Sequence, residues 1–449
     1  MSSRKNTFDH LWFPFTCSQD IEKFPPRVIE RGQGVYLYDA KGERYLDAIG
    51  SWWVSNLGHG HPRITAAVKK QLDKLEHVLM AGFIAKPALE LSRLLAPMLP
   101  KGLTRIFYSD DGSTAVEVAL KIALQYWAAQ GKRRALFVSL AGGYHGDTLG
   151  AMSVGDIPAY HSLFHGRFKS QLYTDAPYCY RCPCGKMKET CAAECMTSLE
   201  KILAAKGESV AACVFEPMVQ GAAGMRIYPA KVLKRIAASC KKYGVLTIAD
   251  EVFTGFGRTG KLFACEHAGI IPDVMCLAKG LTGGYLPMAA TVTNEKIYAA
   301  FCGDFRSGRE LAHGHSFTGN PLAAAAACEA LSIIKEEKIP QSLVSKAAFF
   351  RKKLELFDEI EEVGDIRSIG MIAALELVAD RKTKKPLPVG KRIPFRIAQK
   401  ALDKGLLIRP LGNVLYFVPA YIITEDEIEF MMSVTQKSIK EILGEELEK

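Results

Sequence analysis

The stretch VLTIADEVFTGFGRTG, residues 245–260, runs an apolar segment into two carboxylates and then a glycine-rich loop. A short apolar run without alternation reads as a strand buried on both faces. Runs of the same kind recur at 105–109 (RIFYS), 135–139 (ALFVS), 211–215 (AACVF), 273–277 (DVMCL) and 288–292 (MAATV). Helix-like segments lie between several of them, notably 113–130 and 230–243, which predicts a mainly parallel sheet covered by helices on both faces. Ligands of such sheets gather at the carboxyl ends of the strands, which puts Asp250 at a candidate site. As an isolated residue, Asp250 reads first as a cap on the turn that follows.

The second decisive stretch, DVMCLAKGLTGGYLP (273–287), ends its apolar run in Lys279, with Gly280, Gly283 and Gly284 behind it. A lone ammonium at the end of a buried strand is costly unless it is paired or neutralised by covalent chemistry. A lysine that holds a carbonyl cofactor as a Schiff base meets that need. A carboxylate beside a pyridine nitrogen keeps the ring protonated and electron-withdrawing, and the lysine amine, once displaced, can carry a proton. Lysine and aspartate are the side chains that pyridoxal phosphate (PLP) chemistry requires. SDDGSTAVEVALKIALQYWAAQG (109–131) offers a seat for the phosphate. There Gly112 and Ser113 open an apolar helix whose first N–H groups and dipole attract an anion. AGGYHGDTLGAMS (141–153) adds Tyr144 and His145 on a glycine-rich turn, a place for a flat ring to stack. Taken alone, the first motif is a helix cap and the second a turn.

Outside this region, 33–48 (QGVYLYDAKGERYLDA) reads as a hairpin around Lys41-Gly42, and the chain beyond about 335 mixes helices (343–356, 394–404, 425–443) with short strands. Of the 449 residues, 48% are hydrophobic and 24% charged, a globular composition. The net charge of +10 is scattered over amphipathic segments such as 65–75 and 345–354, which speaks against a nucleic-acid partner. MSSRKNTFDHLW lacks the apolar core of a signal peptide, and no run reaches the roughly 18 apolar residues of a membrane span. A cytoplasmic protein with no membrane partner is expected. Of the twelve cysteines, seven (Cys17, Cys213, Cys240, Cys265, Cys276, Cys302, Cys328) stand singly and read mostly as core filling. Five more, Cys179, Cys182, Cys184, Cys191 and Cys195, crowd into YCYRCPCGKMKETCAAEC (178–195). They read first as free thiols in a surface insertion, with no metal assigned; zinc and a disulfide are the alternatives.

Taken in order, DDGSTAVEVALK, GGYHGDT, FEPMVQGAAGM, ADEVFTGFGRTGKLFACEH, LAKGLTGGYLP and HGHSFTGNPLAAAAA resemble the class-III aminotransferases of PLP fold type I, over nearly the whole chain. The resemblance implies an α/β fold: a large domain with a mainly parallel seven-stranded sheet and a smaller α+β domain built from both chain ends. The corresponding divisions are 1–60, 61–335 (carrying the 178–195 insertion) and 336–449. It implies Lys279 as the Schiff-base lysine, Asp250 as the partner of the pyridine nitrogen, Gly112 and Ser113 at the phosphate, and Tyr144 on the ring and at the substrate. Gly314, His315 and Ser316 fall where family members send a loop into the neighbouring subunit's site, implying a homodimer with shared sites. WFPFT (12–16), GSWWVSNLGHGHP (50–62) and LLIRPLGNVLYFVPAY (406–421) resemble members that aminate 8-amino-7-oxononanoate in biotin biosynthesis. In those members Trp52 and Tyr416 match substrate-lining positions, and Arg409 matches the arginine that receives the substrate carboxylate. Such a reaction is a ping-pong transfer between an amino donor and the ketone.

Three departures qualify the match. Asp111 brings a carboxylate to the phosphate seat and must point away or be offset. Phe253 stands where several members have glutamine. Phe15 stands where members that use S-adenosylmethionine as donor have tyrosine, so lysine is the alternative donor; an ω-amino-acid:pyruvate aminotransferase is the alternative enzyme. Arg258 reads as a residue that could orient the loop near Asp250.

Overall fold

The computed structural model describes residues 8, 10–164 and 171–447; residues 1–7 and 9 of the N-terminal stretch lie outside it. Seven strands form the central sheet: β1 (Leu103–Ser109), β2 (Leu136–Leu140), β3 (Leu172–Thr174), β4 (Val210–Phe215), β5 (Leu246–Asp250), β6 (Val274–Leu277) and β7 (Ala289–Asn294). Their order across the sheet is β1-β7-β6-β5-β4-β2-β3. Only β7 runs against the others, paired antiparallel with both β6 and β1. The six apolar runs are thus six of the strands. β3 was not anticipated from sequence, because three residues at a sheet edge carry too little pattern.

Alternate residues of the central strands feed two cores, as a period of two requires. Ala212, Val214, Ile248, Val274 and Cys276 face one. Cys213, Phe215, Ala249, Met275 and Leu277 face the other. Helix α1 (Gly112–Ala129) covers the first through Ala115, Val116, Ala119 and Ala123, all fully buried. Helix α2 (Ala230–Lys242) covers the second through Val232, Leu233, Ile236 and Cys240. Each buried valine, leucine or isoleucine side chain among them contributes about 1.5–3 kcal/mol. Helix α3 (Pro321–Glu336) lies in a stretch that the sequence marked only as a motif. Its start is set by Asn320, whose Oδ1 accepts from Leu322 N and Ala323 N at 3.0 Å, followed by Pro321.

Both chain ends meet in one sheet. Strands Ile29–Gln33, Tyr36–Asp39 and Arg44–Asp47 form a meander, and the last pairs in parallel with Leu406–Leu407. The Lys41-Gly42 turn is where the hairpin pattern put it: Asp39 Oδ1 accepts from Lys41 N at 2.9 Å and Glu43 N at 3.0 Å, and Gly42 takes φ +84°. A further sheet joins Val363–Ile369, Ile372–Asp380 and Val414–Phe417. The C-terminal helices are Ile339–Lys353, Ile393–Leu402 and Glu425–Leu447. The first begins ahead of the 343 read from its apolar spacing, because Pro340 in its first turn marks the start.

In the 178–195 segment all five cysteines are free, and among the described residues no three His, Cys, Asp or Glu side chains stand together as a metal site. Tyr178 and Arg181 of this segment both bind the Glu376 carboxylate. Of the seven single cysteines, Cys213, Cys240, Cys265 and Cys276 are buried, whereas Cys17 and Cys302 are exposed rather than core. No described helix is long and apolar enough to cross a membrane.

Candidate active site

The carboxyl ends of β4, β5 and β6 open on a cavity of about 710 Å³. Asp250, the last residue of β5, is buried there. Its Oδ2 lies 2.8 Å from His145 Nδ1, and its Oδ1 accepts from Val252 N at 3.1 Å. The cap and the site reading therefore hold together, one on each oxygen. Neighbouring Glu251 turns away from the cavity, accepting from Ala264 N at 2.9 Å and Cys265 N at 2.8 Å to fix the next loop.

Lys279 follows β6 with φ +44°, a left-handed conformation that costs a non-glycine residue about 1–3 kcal/mol and collects at functional sites. Its Nζ stands 4.9 Å from the centre of the Trp53 ring. Burial lowers its pKa from the ordinary lysine value, with the charges of Asp250 and Glu216 opposing. Trp53 ends a left-handed turn, Gly50 φ +54°, Ser51 +45°, Trp52 +70° and Trp53 +73°. Asp47 holds that turn, accepting from Ile49 N at 3.2 Å and Ser51 Oγ at 2.8 Å. Gly50 cannot be larger, since a Cβ there would lie 2.9 Å from Val418 O.

The start of α1 resolves the position of Asp111. Its side chain caps the helix, Oδ1 accepting from Thr114 N at 2.9 Å while Thr114 Oγ1 accepts from Asp111 N at 3.0 Å. That arrangement leaves the N–H groups of Gly112 and Ser113 without an intramolecular partner among the described residues. Space is kept beside them: a Cβ on Gly112 would meet Val252 Cγ1 at 2.6 Å, and one on Gly146 would meet Ser113 Oγ at 2.2 Å. Ser113 Oγ lies 2.7 Å from Thr148 Oγ1, which donates to Glu117 Oε1 at 2.6 Å. Free N–H groups at a helix start, a buried carboxylate and a lysine of lowered pKa in one cavity fit PLP.

Tyr144 lines the same cavity. Its OH donates to Asp147 Oδ2 at 2.8 Å, its N–H donates to Glu216 Oε2 at 3.0 Å, and burial raises its phenol far above the ordinary value. Phe253 also lines it, packed on Trp53 at 4.5 Å, so an apolar wall stands where a glutamine was the alternative.

Phe15, Trp52 and Arg409 line a second cavity of about 540 Å³. The Arg409 guanidinium lies 5.0 Å from the Trp52 ring and donates to Phe15 O at 3.2 Å. Phe15 contacts Trp52 at 5.8 Å and Tyr160 at 4.9 Å, and Tyr160 contacts Tyr144 at 6.4 Å, an aromatic path between the two cavities. Tyr416 lines neither cavity; it is buried behind Trp53 at 5.9 Å. Gly314, His315 and Ser316 do not line the cavity of their own chain. His315 Nδ1 lies 2.9 Å from Asp110 Oδ2, at the cavity rim. Arg258 does not line the cavity: fully buried, it donates to Pro419 O at 2.6 Å and lies over the Tyr421 ring. The sequence reading missed Glu216, Thr148 and Trp53. Glu216 gave a usable signal, a carboxylate directly after an apolar strand, as Asp250 did.

This combination of sheet order, strand-end lysine and aspartate, and helix-start anion seat defines a PLP-dependent transferase. The chain belongs to the aminotransferase class-III family, whose model matches residues 17–439. It is similar to the adenosylmethionine-8-amino-7-oxononanoate aminotransferase of Geobacter sulfurreducens, 44% identical over 437 residues that cover 97% of this chain and 96% of that one. The enzyme of the same name from Methanocaldococcus jannaschii is 41% identical, and its crystal structure superposes with a TM-score of 0.91 at 40% identity over 96% of this chain and 97% of that one. An amine transaminase from an uncultivated Pseudomonas species, solved in its PLP-bound form, is 36% identical with a TM-score of 0.92, over 98% of this chain and all of that one, 100%.

Proposed function

We propose that this chain transfers an amino group to 8-amino-7-oxononanoate, giving 7,8-diaminononanoate in biotin biosynthesis, with S-adenosylmethionine as donor. The observation that carries the choice of acceptor is Arg409, whose guanidinium stands on an aromatic-walled cavity linked to the Lys279 cavity through the ring contacts of Phe15, Tyr160 and Tyr144. Bound at Lys279, Asp250, Gly112 and Ser113, PLP would supply a carbonyl carrier for the amino group and a sink for electrons. Lys279 is positioned to hold the cofactor and, with burial lowering its pKa, to move a proton at the substrate carbon. Asp250, oriented by His145, supplies the negative charge that keeps a proton on the ring nitrogen. Gly112 and Ser113 offer N–H groups to the phosphate. Tyr144, Trp53 and Phe253 exclude water. Arg409 receives the carboxylate of the long ketone, and Trp52 and Phe15 receive its alkyl chain.

Arg409→Ala removes a charged hydrogen-bond donor worth about 1.5–3 kcal/mol, which is roughly a 10- to 150-fold rise in KM for the ketone. The half-reaction with the donor should be unchanged. Steady-state kinetics on both substrates check this, and an unmoved ketone KM would favour an ω-amino-acid:pyruvate enzyme instead. Lysine is the second reading for the donor, because Phe15 brings no hydroxyl to the cavity wall. Half-reactions with S-adenosylmethionine and with lysine, each followed by absorbance of the cofactor, separate the two.

The same proposal includes a homodimer with shared sites. Leu79 is 54% exposed, Phe83 66% and Phe317 61%, the last beside His77 at 5.1 Å, an apolar surface adjoining Gly314–Ser316. Exposed apolar side chains beside that loop fit burial against a second copy of the chain. Sedimentation velocity should give twice 49.4 kDa. A fully active monomer would contradict it.

A further inference from the structure

We propose that Glu216 is a positioning residue for this amino transfer, one carboxylate that locks together the two loops forming the wall of the cofactor cavity. Glu216 directly follows β4 and lines the cavity. Its Oε2 accepts from Tyr144 N at 3.0 Å and its Oε1 from Gly221 N at 2.9 Å. Its own backbone oxygen accepts from Tyr228 OH at 2.5 Å, which fixes the base of the side chain. The two N–H groups come from separate loops, so nothing local in the chain brings them together. Only a carboxylate presents two oxygens that both accept and never donate. A glutamine in the same place satisfies one N–H and sets its own NH₂ against the other.

Each loop carries part of the site. Tyr144 is the ring on one side of the cavity and precedes His145, the partner of Asp250. Gly221 packs against the aromatic wall: a Cβ there would meet Phe253 and Trp53 at 3.1 Å, and Trp53 is the ring beneath the Lys279 amine. Gln220 adds a further tie between the loops, donating to Ala141 O at 3.0 Å. Displacing Gly221 therefore disturbs the Lys279 side of the cavity, and displacing Tyr144 disturbs the Asp250 side. The groups that face Glu216 are His145, Asp250, Lys279, Tyr144, Tyr228 and Arg226. Burial raises its carboxyl pKa to about 7, with the Asp250 charge adding to the rise and His145 and the two N–H groups opposing it. The protonated form loses one of its two acceptors. The lock is accordingly complete above pH 7 and weakens as pH falls through 7.

The inference rests on the transaminase reading, and its test uses amide hydrogen exchange, which does not depend on the choice of donor or ketone. In wild-type holoenzyme, protection of the Tyr144 and Gly221 amides, corrected for intrinsic rate, should fall about tenfold between pH 8 and pH 6, while β4 amides hold theirs. In Glu216→Gln the two amides should exchange about tenfold faster at pH 8, cofactor affinity should fall about tenfold, and the acid limb of kcat/KM near pH 7 should disappear. Unchanged exchange of both amides in folded E216Q would overturn the inference. If E216Q does not fold, pH-independent protection in the wild type would overturn it equally.

Discussion

Lys279→Ala is expected to leave a folded protein whose turnover has fallen by at least about 10,000-fold, the combined loss of a nucleophilic amine and a general base. Folding should survive, because alanine removes an amine whose burial is unfavourable, as its lowered pKa shows, and bears the same left-handed φ of +44° that any side chain does there. Lys279→Arg should be as inactive: it keeps the charge but cannot give up its proton at working pH. Borohydride reduction of the wild-type holoenzyme followed by peptide mass spectrometry should place the cofactor's mass on Lys279, and neither variant should carry it. Retained turnover in Lys279→Ala would mean that the strand-end lysine is not where the chemistry occurs.

Asp250→Asn is the second large effect, expected to lower kcat on the order of 1,000-fold with the cofactor still bound. The change is nearly isosteric, and an amide oxygen can still accept from Val252 N, so the turn after β5 should hold. What is lost is the charge. The group facing His145 Nδ1 at 2.8 Å also changes, from an acceptor-only oxygen toward an amide that donates, so the histidine must alter its tautomer or move. Cofactor content by absorbance and kcat by product formation separate binding from rate. A kcat within about threefold of wild type would remove Asp250 from its assigned role.

The inner strands β4 to β7 were readable because each is buried on both faces, so an unbroken apolar run was diagnostic whichever core a given residue serves. Val414–Phe417 shows the limit of that signal. All four of its residues are buried, so no alternation in VLYF could reveal that Tyr416 points behind Trp53 rather than into a cavity. Asp250 and Lys279 were readable because charge at the end of an apolar run demands a reason. Glu216 carried the same signal and was passed over, since both its partners are backbone N–H groups and one of them, Tyr144 N, is distant in sequence. Asp111 looked like a misplaced charge until its partner, Thr114 N in the next turn, gave it the ordinary work of a cap. The partners of Arg258 were not legible, because Pro419 and Tyr421 arrive from the far end of the chain.

The most direct measurement is conversion of 8-amino-7-oxononanoate by the purified holoenzyme, with S-adenosylmethionine, lysine or alanine as donor and the product identified by mass spectrometry. The expected result is 7,8-diaminononanoate formed with S-adenosylmethionine or with lysine, and none from Lys279→Ala. No diamine with any of these donors, from an enzyme that still aminates pyruvate, would contradict the proposed function.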